Sequence, residues 1–558
     1  MADYDLHSLS LPKLTGATLR LFAALVDNPV TRGLLLPSLL KQGGVDKFRT
    51  ISVHTDPTLY PFGPSDEPAT RSLSAAEVES TLAAPAPRPP YTTARDYAAA
   101  YRGGGITPVE VAEKVLAAIA ASDAVALPLH AFVANDRQDV LAQAQASAQR
   151  IQQGRPLSVL DGVPVAIKDE IDQVPYPSRA GTTFLGTQPV TEDCAPVARL
   201  RAAGALLVGK ASMPELGLDP AGYNAHYGQT RNPHNPAHDS GGSSCGPAAA
   251  VAAGLCPISI GCDGGGSIRV PASFCGIVGL KPSFGRVSEC GAVPLCPTVD
   301  YIGPLGATVE DVALAYGIIA GPDTNDPRSL HQPPVALQGW SNPDLRGLTL
   351  GVYTPWFRHA SPAVVAACES MLQQLVSAGA QVREIELPGL DAMRVAHFVT
   401  ILSEMAANLN DYGEGRRQIS APGRVTLALQ RGLSSSDYVL AQRVRTQAIA
   451  TFQQALQQVD AIITPSTAIT APPIPAGGVP GGWSDLTTTT EVMRYAFPSN
   501  LTGHPAISFP AGYDSAGLPV GMQATGRYWE ERVLLRLACA AEQSLPRRRP
   551  QVFFPILG

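Results

Sequence analysis

Two serines and one lysine are the residues whose types and spacing could perform chemistry. Ser267 closes the glycine run at 264–266, and Ser243 opens the Ser-Ser pair that follows Gly241 and Gly242. A glycine run lets successive N–H groups turn towards one point, which suits a developing oxyanion. A serine at the end of such a turn is placed to attack the carbonyl group held there, so we expect Ser267 to act as a nucleophile.

A serine nucleophile needs a base at neutral pH, and the candidates are a histidine, a carboxylate or a neutral lysine. His234 and His238 lie in a Pro/Asn loop, where we expect them to be ordinary hydrogen-bonding groups. The turn GGSIR also lacks the final glycine of the G-x-S-x-G motif. Lys168 follows the apolar run 163–167, and we expect burial there to lower its pKa and make the neutral amine accessible.

Short apolar strands alternate with helices around these residues. The segment 247–260, PAAAVAAGLCPISI, predicts a buried helix and then a strand, with Ser243 before the helix and Ser267 after the strand. PVAIKD and ALLVGKA read as strands, and APVARLRAAG between them reads as a helix. The alternation continues beyond residue 349 and predicts an α/β fold. Thr107, Pro108 and Glu110 form a helix start with a capping box.

Five motifs resemble those of the amidase signature family. They are GVPVAIKDE (162–170), GGSSCGPAAAVAAG (241–254), GCDGGGSIR (261–269), GIVGLKP (276–282) and GLPVGMQ (517–523). The resemblance covers about residues 91 to 545, and PLSVLDGVPVAIKDEIDQVPYP and YGQTRNPHNP are most similar to plant-type fatty acid amide hydrolases. It implies a central mixed, twisted β-sheet covered by helices on both faces, with an N-terminal helical extension.

The resemblance also implies roles for individual residues. Ser267 matches the nucleophile, Ser243 the bridging serine held through a cis peptide, and Lys168 the base. The implied oxyanion and substrate-binding residues are Gly264, Gly265, Gly266, Gly217 and Leu218. The residues expected to support the site structurally are Ser244, Asp263 and Arg269. The sequence departs from the family pattern at Cys245, Pro247 and Cys262, and Cys245 is a weaker alternative nucleophile.

The resemblance leaves the substrate open. It favours apolar N-acyl amides such as N-acylethanolamines, because small and apolar residues occupy the implied acyl pocket. Aryl amides, esters and carbamates are alternatives that share the same triad. An alternative of another class is a glutaminase-type subunit of an amidotransferase complex, and a non-catalytic scaffold is a third. The resemblance implies no cofactor and no metal.

Composition restricts the partners. The chain has 558 residues and a net charge of -6 without a basic run, which argues against a nucleic-acid partner. Nine cysteines occur without a CxxC pair, so we expect reduced, buried thiols. The acidic N-terminus MADYDLH lacks the basic region of a secretory signal, and no apolar run is long enough to span a membrane. We expect a cytoplasmic protein, alternatively one that binds a membrane peripherally.

The first 90 residues are expected to form a helical extension and linker, and residues 91–558 the catalytic domain. Residues 14–42 predict two helical pieces broken at Asp27-Asn28-Pro29, with Pro37 interrupting the second. The expected apolar face of the first piece consists of Leu14, Thr18, Leu21, Phe22 and Leu25. These helices would pack on the body, on a second copy of the chain in a homodimer, or on a membrane surface, or would form an entry path for the acyl group. Residues 50–92 predict an extended linker.

Two further segments need an interpretation. Gly204-x4-Gly209-Lys210-Ala211 nearly matches a phosphate-binding loop, but Ala-Leu-Leu-Val between the glycines predicts a strand, so nucleotide binding is not expected. The segment 471–490, rich in Pro, Gly and Thr, is long enough to be a substrate-side loop.

Overall fold

The chain is organised around one large mixed sheet. The computed structural model describes residues 4–9, 13–65, 67–82, 91–476, 479 and 481–558. The strands are β1 (Leu14–Thr15), β2 (Phe132–Ala134), β3 (Pro164–Lys168), β4 (Leu206–Ala211), β5 (Tyr223–Asn224), β6 (Gly228–Gln229), β7 (Arg231–Asn232), β8 (Asn235–Asp239), β9 (Ile258–Cys262), β10 (Val278–Lys281), β11 (Ile302–Gly306), β12 (Thr349–Val352), β13 (Gln381–Glu384), β14 (Ala461–Pro465), β15 (Trp483–Ser484), β16 (Ala506–Tyr513) and β17 (Pro519–Gly526).

Helices flank this sheet. They are α1 (Gly16–Asp27), α2 (Pro29–Gln42), α3 (Val45–Phe48), α4 (Ala75–Thr81), α5 (Ala94–Arg102), α6 (Pro108–Asp123), α7 (Arg137–Gln152), α8 (Ala195–Ala202), α9 (Cys245–Ala252), α10 (Arg269–Phe274), α11 (Val309–Ile319), α12 (Thr354–Phe357), α13 (Pro362–Ser377), α14 (Leu390–Asn408), α15 (Ala421–Gln430), α16 (Ser435–Leu456), α17 (Leu486–Met493), α18 (Phe497–Thr502) and α19 (Glu531–Ser544). Short 3-10 helices lie at Glu215–Gly217, Pro327–His331 and Leu409–Gln418. Within the described ranges, none of the helices combines the length and apolar character needed to cross a bilayer.

The strand order is β13-β12-β14-β17-β16-β10-β11-β9-β3-β4-β2. β3 runs parallel to both β4 and β9, and β12 runs parallel to β13 and β14, whereas the other pairs in the sheet are antiparallel. The predicted mixed α/β sheet flanked by helices is confirmed. The carboxyl ends of β3 and β9 therefore meet at one edge of the sheet, and Lys168 is the last residue of β3.

The serine pair lies at the same edge of the sheet, directly before the buried helix α9. All its residues are buried, and its alanines allow close packing beside β9. Gly254, at φ +74°, lies in the turn that follows the helix and leads to β9. Because the helix and the following strand run in opposite directions, the amino end of α9 lies beside the carboxyl end of β9. Residues 243–244 and the turn after Cys262 are thus neighbours.

Local sequence signals succeeded where capping and apolar runs were strong. Thr107 caps α6 with the predicted box to Glu110, and Pro108 occupies the first turn. The two N-terminal helices break at Asn28, whose side chain caps α2. The second helix continues through Pro37, however, so the predicted interruption there is wrong.

Three other N-terminal expectations need correction or restriction. The buried face of α1 consists of Leu19, Ala23 and Val26, whereas Leu21 is 63% exposed. These buried side chains pack against α15, which a helical wheel of α1 alone could not identify. The expected linker contains α4, whose capping box joins Ser74 and Glu77. The Pro-rich stretch 84–90 lies outside the described residues.

Candidate active site

Lys168 and Ser243 form the central contact of the site. Lys168 Nζ donates to Ser243 Oγ at 2.8 Å and to the Cys262 carbonyl at 3.2 Å, and both side chains are buried. The peptide bond before Ser243 is cis. Ser267 is half-buried and lines the same cavity of about 230 Å³ as Lys168 and Ser243. The structure thus brings together the three residues that the sequence singled out.

The expected pKa shift of Lys168 is wrong in direction. Burial is the largest single influence and disfavours the ammonium, but the Glu170 carboxylate and further neighbouring groups outweigh it and raise the pKa of Lys168. Glu170 Oε1 lies 2.7 Å from Lys168 Nζ, so the two side chains form a close, buried ion pair. The prediction considered desolvation alone and did not include a buried carboxylate partner.

Asp263 holds the glycine turn. Its Oδ1 accepts from Gly266 N at 2.6 Å, and its Oδ2 accepts from Ile268 N at 3.1 Å. The expectation that Gly266 N–H serves an oxyanion therefore conflicts with the structure, because this group already has an acceptor. The N–H groups of Gly264, Gly265 and Ser267 have no acceptor among the described residues. Gly266 has φ +117°, and a Cβ there would approach Ala496 Cβ to 2.6 Å.

Arg269 completes this support. Arg269 Nε and Nη2 each donate to Asp263 at 3.0 Å, and both side chains are fully buried. Asn500 Nδ2 adds a bond to Asp263 Oδ1 at 2.9 Å. Burial alone would raise the pKa of Asp263, but Arg269 and these hydrogen bonds hold it well below its usual range. This geometry fits the expected role of Asp263 and Arg269 as structural support for the turn.

His397, on α14, is a neighbour of the turn that the sequence reasoning missed. Its Nε2 donates to the Gly264 carbonyl at 2.8 Å, with the proton assigned to Nε2 by this contact. Burial lowers the pKa of His397 to about 4, so the ring is neutral at physiological pH. Anchoring this carbonyl also fixes the direction of the N–H of Gly265 in the same peptide unit. No local sequence signal connects residue 397 with residue 264.

The other predicted residues surround the serines. Gly217 and Leu218 line the cavity, and a Cβ on Gly217 would lie 3.2 Å from Ser243 Oγ. Ser244 N donates to the Ser267 carbonyl at 3.0 Å, and Cys262 N donates to Ser244 Oγ at 3.3 Å. Ser244 thus joins the amino end of α9 to the carboxyl end of β9.

The departures from the family pattern leave the serines in place. Cys245 is buried, and its thiol donates to the Ser212 carbonyl at 3.3 Å. Burial raises the pKa of Cys245 to about 12, which disfavours a nucleophilic thiolate. Cys262 lines the cavity, where its thiol donates to Asp300 Oδ1 at 3.0 Å. Pro247 lies within the first turn of α9, and its carbonyl accepts from Ser259.

The two histidines and the near-match to a phosphate-binding loop, to which the sequence analysis assigned no catalytic role, lie away from the cavity. His234 and His238 are not among its lining residues. Lys210 lies in β4 and is buried against Asp169, with its Nζ 3.3 Å from Ser178 Oγ, so the near-phosphate-loop is a strand as predicted. Among the described residues, no group of three His, Cys, Asp or Glu side chains is arranged to hold a metal ion.

The cavity wall is mostly apolar. The segment 471–490, expected to be a substrate-side loop, contributes Trp483 and Leu486 to it, although residues 486–490 belong to α17, which Asp485 caps. Leu6 and Leu39 bring the N-terminal region to the same cavity. Further apolar lining residues are Leu218, Phe398, Ile401, Leu402, Met405 and Phe497.

Comparison with known proteins identifies the class and then the family. A sequence model of the amidase family matches residues 113–535, and this places the chain among amide hydrolases. The fatty acid amide hydrolase of Arabidopsis thaliana is 38% identical over 586 aligned residues, covering 100% of this chain and 96% of the relative. The chain therefore belongs to the amidase signature family and is an amidase acting on carbon–nitrogen bonds of linear amides.

Two other relatives show the breadth of this family. A glutamyl-tRNA(Gln) amidotransferase subunit from Roseiflexus sp. is 37% identical over 477 residues, covering 81% of this chain and 96% of that protein. A solved bacterial aryl acylamidase of the amidase signature family has a TM-score of 0.73 and 26% identity, over 82% of this chain and 96% of its own.

Proposed function

We propose that the chain hydrolyses apolar N-acyl amides, such as N-acylethanolamines, through a triad of Ser267, Ser243 and Lys168. The observation that carries the proposal is the 2.8 Å contact between Lys168 Nζ and Ser243 Oγ in a cavity that Ser267 also lines. The apolar wall formed by α14, α18 and the 3-10 turn at 215–217 suits an acyl chain, because burial of each CH₂ group contributes about 0.8 kcal/mol.

The proposed cycle begins at the glycine turn. The substrate carbonyl accepts hydrogen bonds from the N–H groups of Gly264, Gly265 and Ser267, for which the described residues supply no acceptor. Ser267 Oγ attacks the carbonyl carbon, its proton passes to Ser243, and Ser243 passes its own proton to neutral Lys168. A hydroxyl suits this relay because it both donates and accepts. Each oxyanion donor lowers the barrier by about 3 kcal/mol.

The same relay then runs in reverse. Lys168 returns the proton through Ser243 to the amide nitrogen, the C–N bond breaks, and the amine leaves an acyl-enzyme on Ser267. An amide nitrogen must be protonated to leave, so this general-acid step decides amide hydrolysis. Water attacks the acyl-enzyme with the relay as base, and the carboxylic acid departs.

A hydrolysis panel tests the proposal. Purified wild type and Ser267→Ala are compared on N-acylethanolamines of increasing chain length, an aryl acetamide, an aryl carbamate and glutamine. We expect rates that rise with acyl length and vanish in Ser267→Ala. Ser273→Ala is the matched control, because Ser273 is a buried serine of α10 that bonds Gly521 N. Undiminished hydrolysis by Ser267→Ala would overturn the triad.

Two alternatives are separate arms of this panel. Similarity to an aryl acylamidase favours aryl amide, ester or carbamate hydrolysis, and activity confined to aryl substrates would replace the lipid assignment. Similarity to an amidotransferase component favours a glutaminase-type role within a complex, and ammonia release from glutamine alone would support it. The Arabidopsis relative matches the whole chain, whereas the amidotransferase component covers 81% of it.

The N-terminal helices α1 and α2 carry exposed apolar side chains that could contact a membrane or a second copy of the chain. We propose that α1 and α2 touch a membrane surface on the cytoplasmic side, with a homodimer contact through residues 14–42 as the alternative. Leu21, Val30 and Leu34 are 63%, 75% and 77% exposed, while the opposite face of α1 packs on α15. Apolar side chains directed away from the body suit shallow insertion among lipid headgroups.

A further inference from the structure

Glu170 is a buried carboxylate beside the proposed triad with no role in the cycle described above. It lies in the turn that follows β3, two residues after Lys168, which is the last residue of that strand. Its Oε1 lies 2.7 Å from Lys168 Nζ, and the two side chains are 2% and 1% exposed. An ion pair this deep persists only if its environment compensates for lost hydration.

A second carboxyl group lies close to this pair. Asp300 lines the cavity and accepts hydrogen bonds from Cys262 Sγ at 3.0 Å and Tyr301 N at 3.1 Å. Burial, followed by the charge of Glu170, raises the pKa of Asp300 to about 7. The titratable groups that act on Glu170 or Asp300 from the surrounding elements are Lys168, Asp169, Lys210, Cys262, Glu289 and Cys296.

We propose that Glu170 is a positioning residue that accepts a proton from Lys168 at the start of each turnover, so that the lysine enters the reaction as a neutral amine. The inference rests on the proposed triad. It resolves a conflict within that triad, because a permanently charged ammonium beside a carboxylate cannot take the proton of Ser243. A buried acceptor at 2.7 Å lets the amine become neutral without releasing a proton to water.

The charges balance at every step. At rest, the Lys168 ammonium and the Glu170 carboxylate sum to zero. Breaking one Nζ–H bond and forming an O–H bond on Glu170 gives a neutral amine and a neutral acid. When Ser267 attacks, its proton reaches Lys168 through Ser243, and the new ammonium balances the new oxyanion. No net charge enters or leaves the buried site, where an unbalanced charge would be costly.

This role fixes the sign of the pH dependence. In the wild type, Lys168 passes its proton to Glu170 inside the site and needs no exchange with water. In Glu170→Gln, Lys168 must instead release its proton to solvent. The acidic limb of the activity profile, where kcat/KM rises with pH, therefore moves to higher pH. In Glu170→Asp, the carboxylate is retained but is drawn back from Lys168 Nζ, so proton transfer is impaired and the limb moves in the same direction by a smaller amount.

The experiment is a series of kcat/KM profiles from about pH 5 to about pH 10, on an N-acyl amide that Ser267→Ala does not cleave. We expect Glu170→Gln to be at least about 10-fold slower than wild type at pH 7 and to approach it at alkaline pH. Glu542→Gln is the matched control, because Glu542 is a buried carboxyl paired with Arg547 at 3.5 Å, and its limb should not move.

An equal loss of activity at all pH values, or an unmoved limb, would overturn the role of Glu170. If circular dichroism shows Glu170→Gln to be unfolded, Glu170→Asp decides: a limb at higher pH supports the proposal, and an unchanged limb refutes it. Retained hydrolysis by Ser267→Ala would overturn the triad and this inference together. If Ser267→Ala is inactive and the limb of Glu170→Gln does not move, the inference about Glu170 is overturned while the triad stands.

Discussion

Lys168 Nζ and Ser243 Oγ meet at 2.8 Å although 75 positions separate them in the chain. The contact exists because β3 and β9 are parallel neighbours and α9 begins beside their carboxyl ends. The lysine is held by the sheet and the serine by the start of a buried helix. A relay built on such rigid elements keeps its donor–acceptor geometry between substrates of different length.

Substitution of Lys168 separates base chemistry from charge. Lys168→Met should lower amide hydrolysis by roughly 10²- to 10⁴-fold, because the relay loses its proton acceptor, with a smaller loss at high pH. Lys168→Arg keeps a positive charge and a donor, but its guanidinium does not give up a proton, so it should be similarly slow. Steady-state rates on an N-acyl amide check this, and wild-type rates in either folded variant would require another base.

His397 offers a test of the glycine turn. His397→Phe removes the 2.8 Å bond to the Gly264 carbonyl and should reduce kcat by about 10- to 100-fold with little change in KM, because the Gly265 N–H loses its fixed direction. The control is His504→Phe, since His504 is also fully buried but does not line the cavity. A rise in KM at constant kcat would instead assign His397 to substrate binding.

His504 itself predicts a pH dependence of stability. Burial lowers the pKa of His504 to about 3, so the unfolded state takes up a proton first as the pH falls through 6.5. This histidine therefore favours unfolding increasingly between pH 6.5 and 3, by up to about 1.4 kcal/mol per pH unit. The free energy of unfolding, measured in urea, should therefore increase in His504→Phe relative to wild type as the pH falls from 6.5 to 3. A difference independent of pH would contradict a neutral buried ring.

Sequence patterns predicted the parts of this fold that depend on neighbours along the chain. The strands at 164–168 and 258–262, the helix between 245 and 252 and the capping box at Thr107 all follow from runs of adjacent residue types. The motifs also singled out Lys168, Ser243 and Ser267, which the structure places together. Local propensity was sufficient here because apolar runs and caps agree with the tertiary packing.

Sequence patterns could not predict what distant elements contribute. His397 reaches Gly264 across 133 positions, and the buried face of α1 is defined by α15, some four hundred residues later. The pKa of Lys168 is raised, not lowered as expected, because the Glu170 carboxylate lies beside it. The position of Glu170, two residues after Lys168, could have indicated this contact. Gly266 N–H is likewise occupied by Asp263, whose orientation depends on Arg269 and Asn500.

The exposed leucines of α1 and α2 give the last prediction. Replacing Leu21 and Leu34 together by serine should weaken binding to phospholipid vesicles at least about 10-fold, because each leucine contributes about 1.5–3 kcal/mol when buried among lipids. Sedimentation with vesicles measures this. The matched control replaces Leu127 and Leu157, which are 45% and 49% exposed outside residues 14–42, and it should bind as wild type does.

Light scattering of the same variants separates the two partners of this surface. If the helices contact a membrane, the serine variant keeps the molar mass of wild type while losing vesicle binding. If they contact a second copy of the chain, the molar mass falls and vesicle binding stays as it was. Unchanged mass together with unchanged binding would contradict both proposals, and the exposed leucines would then have no role in assembly or membrane contact.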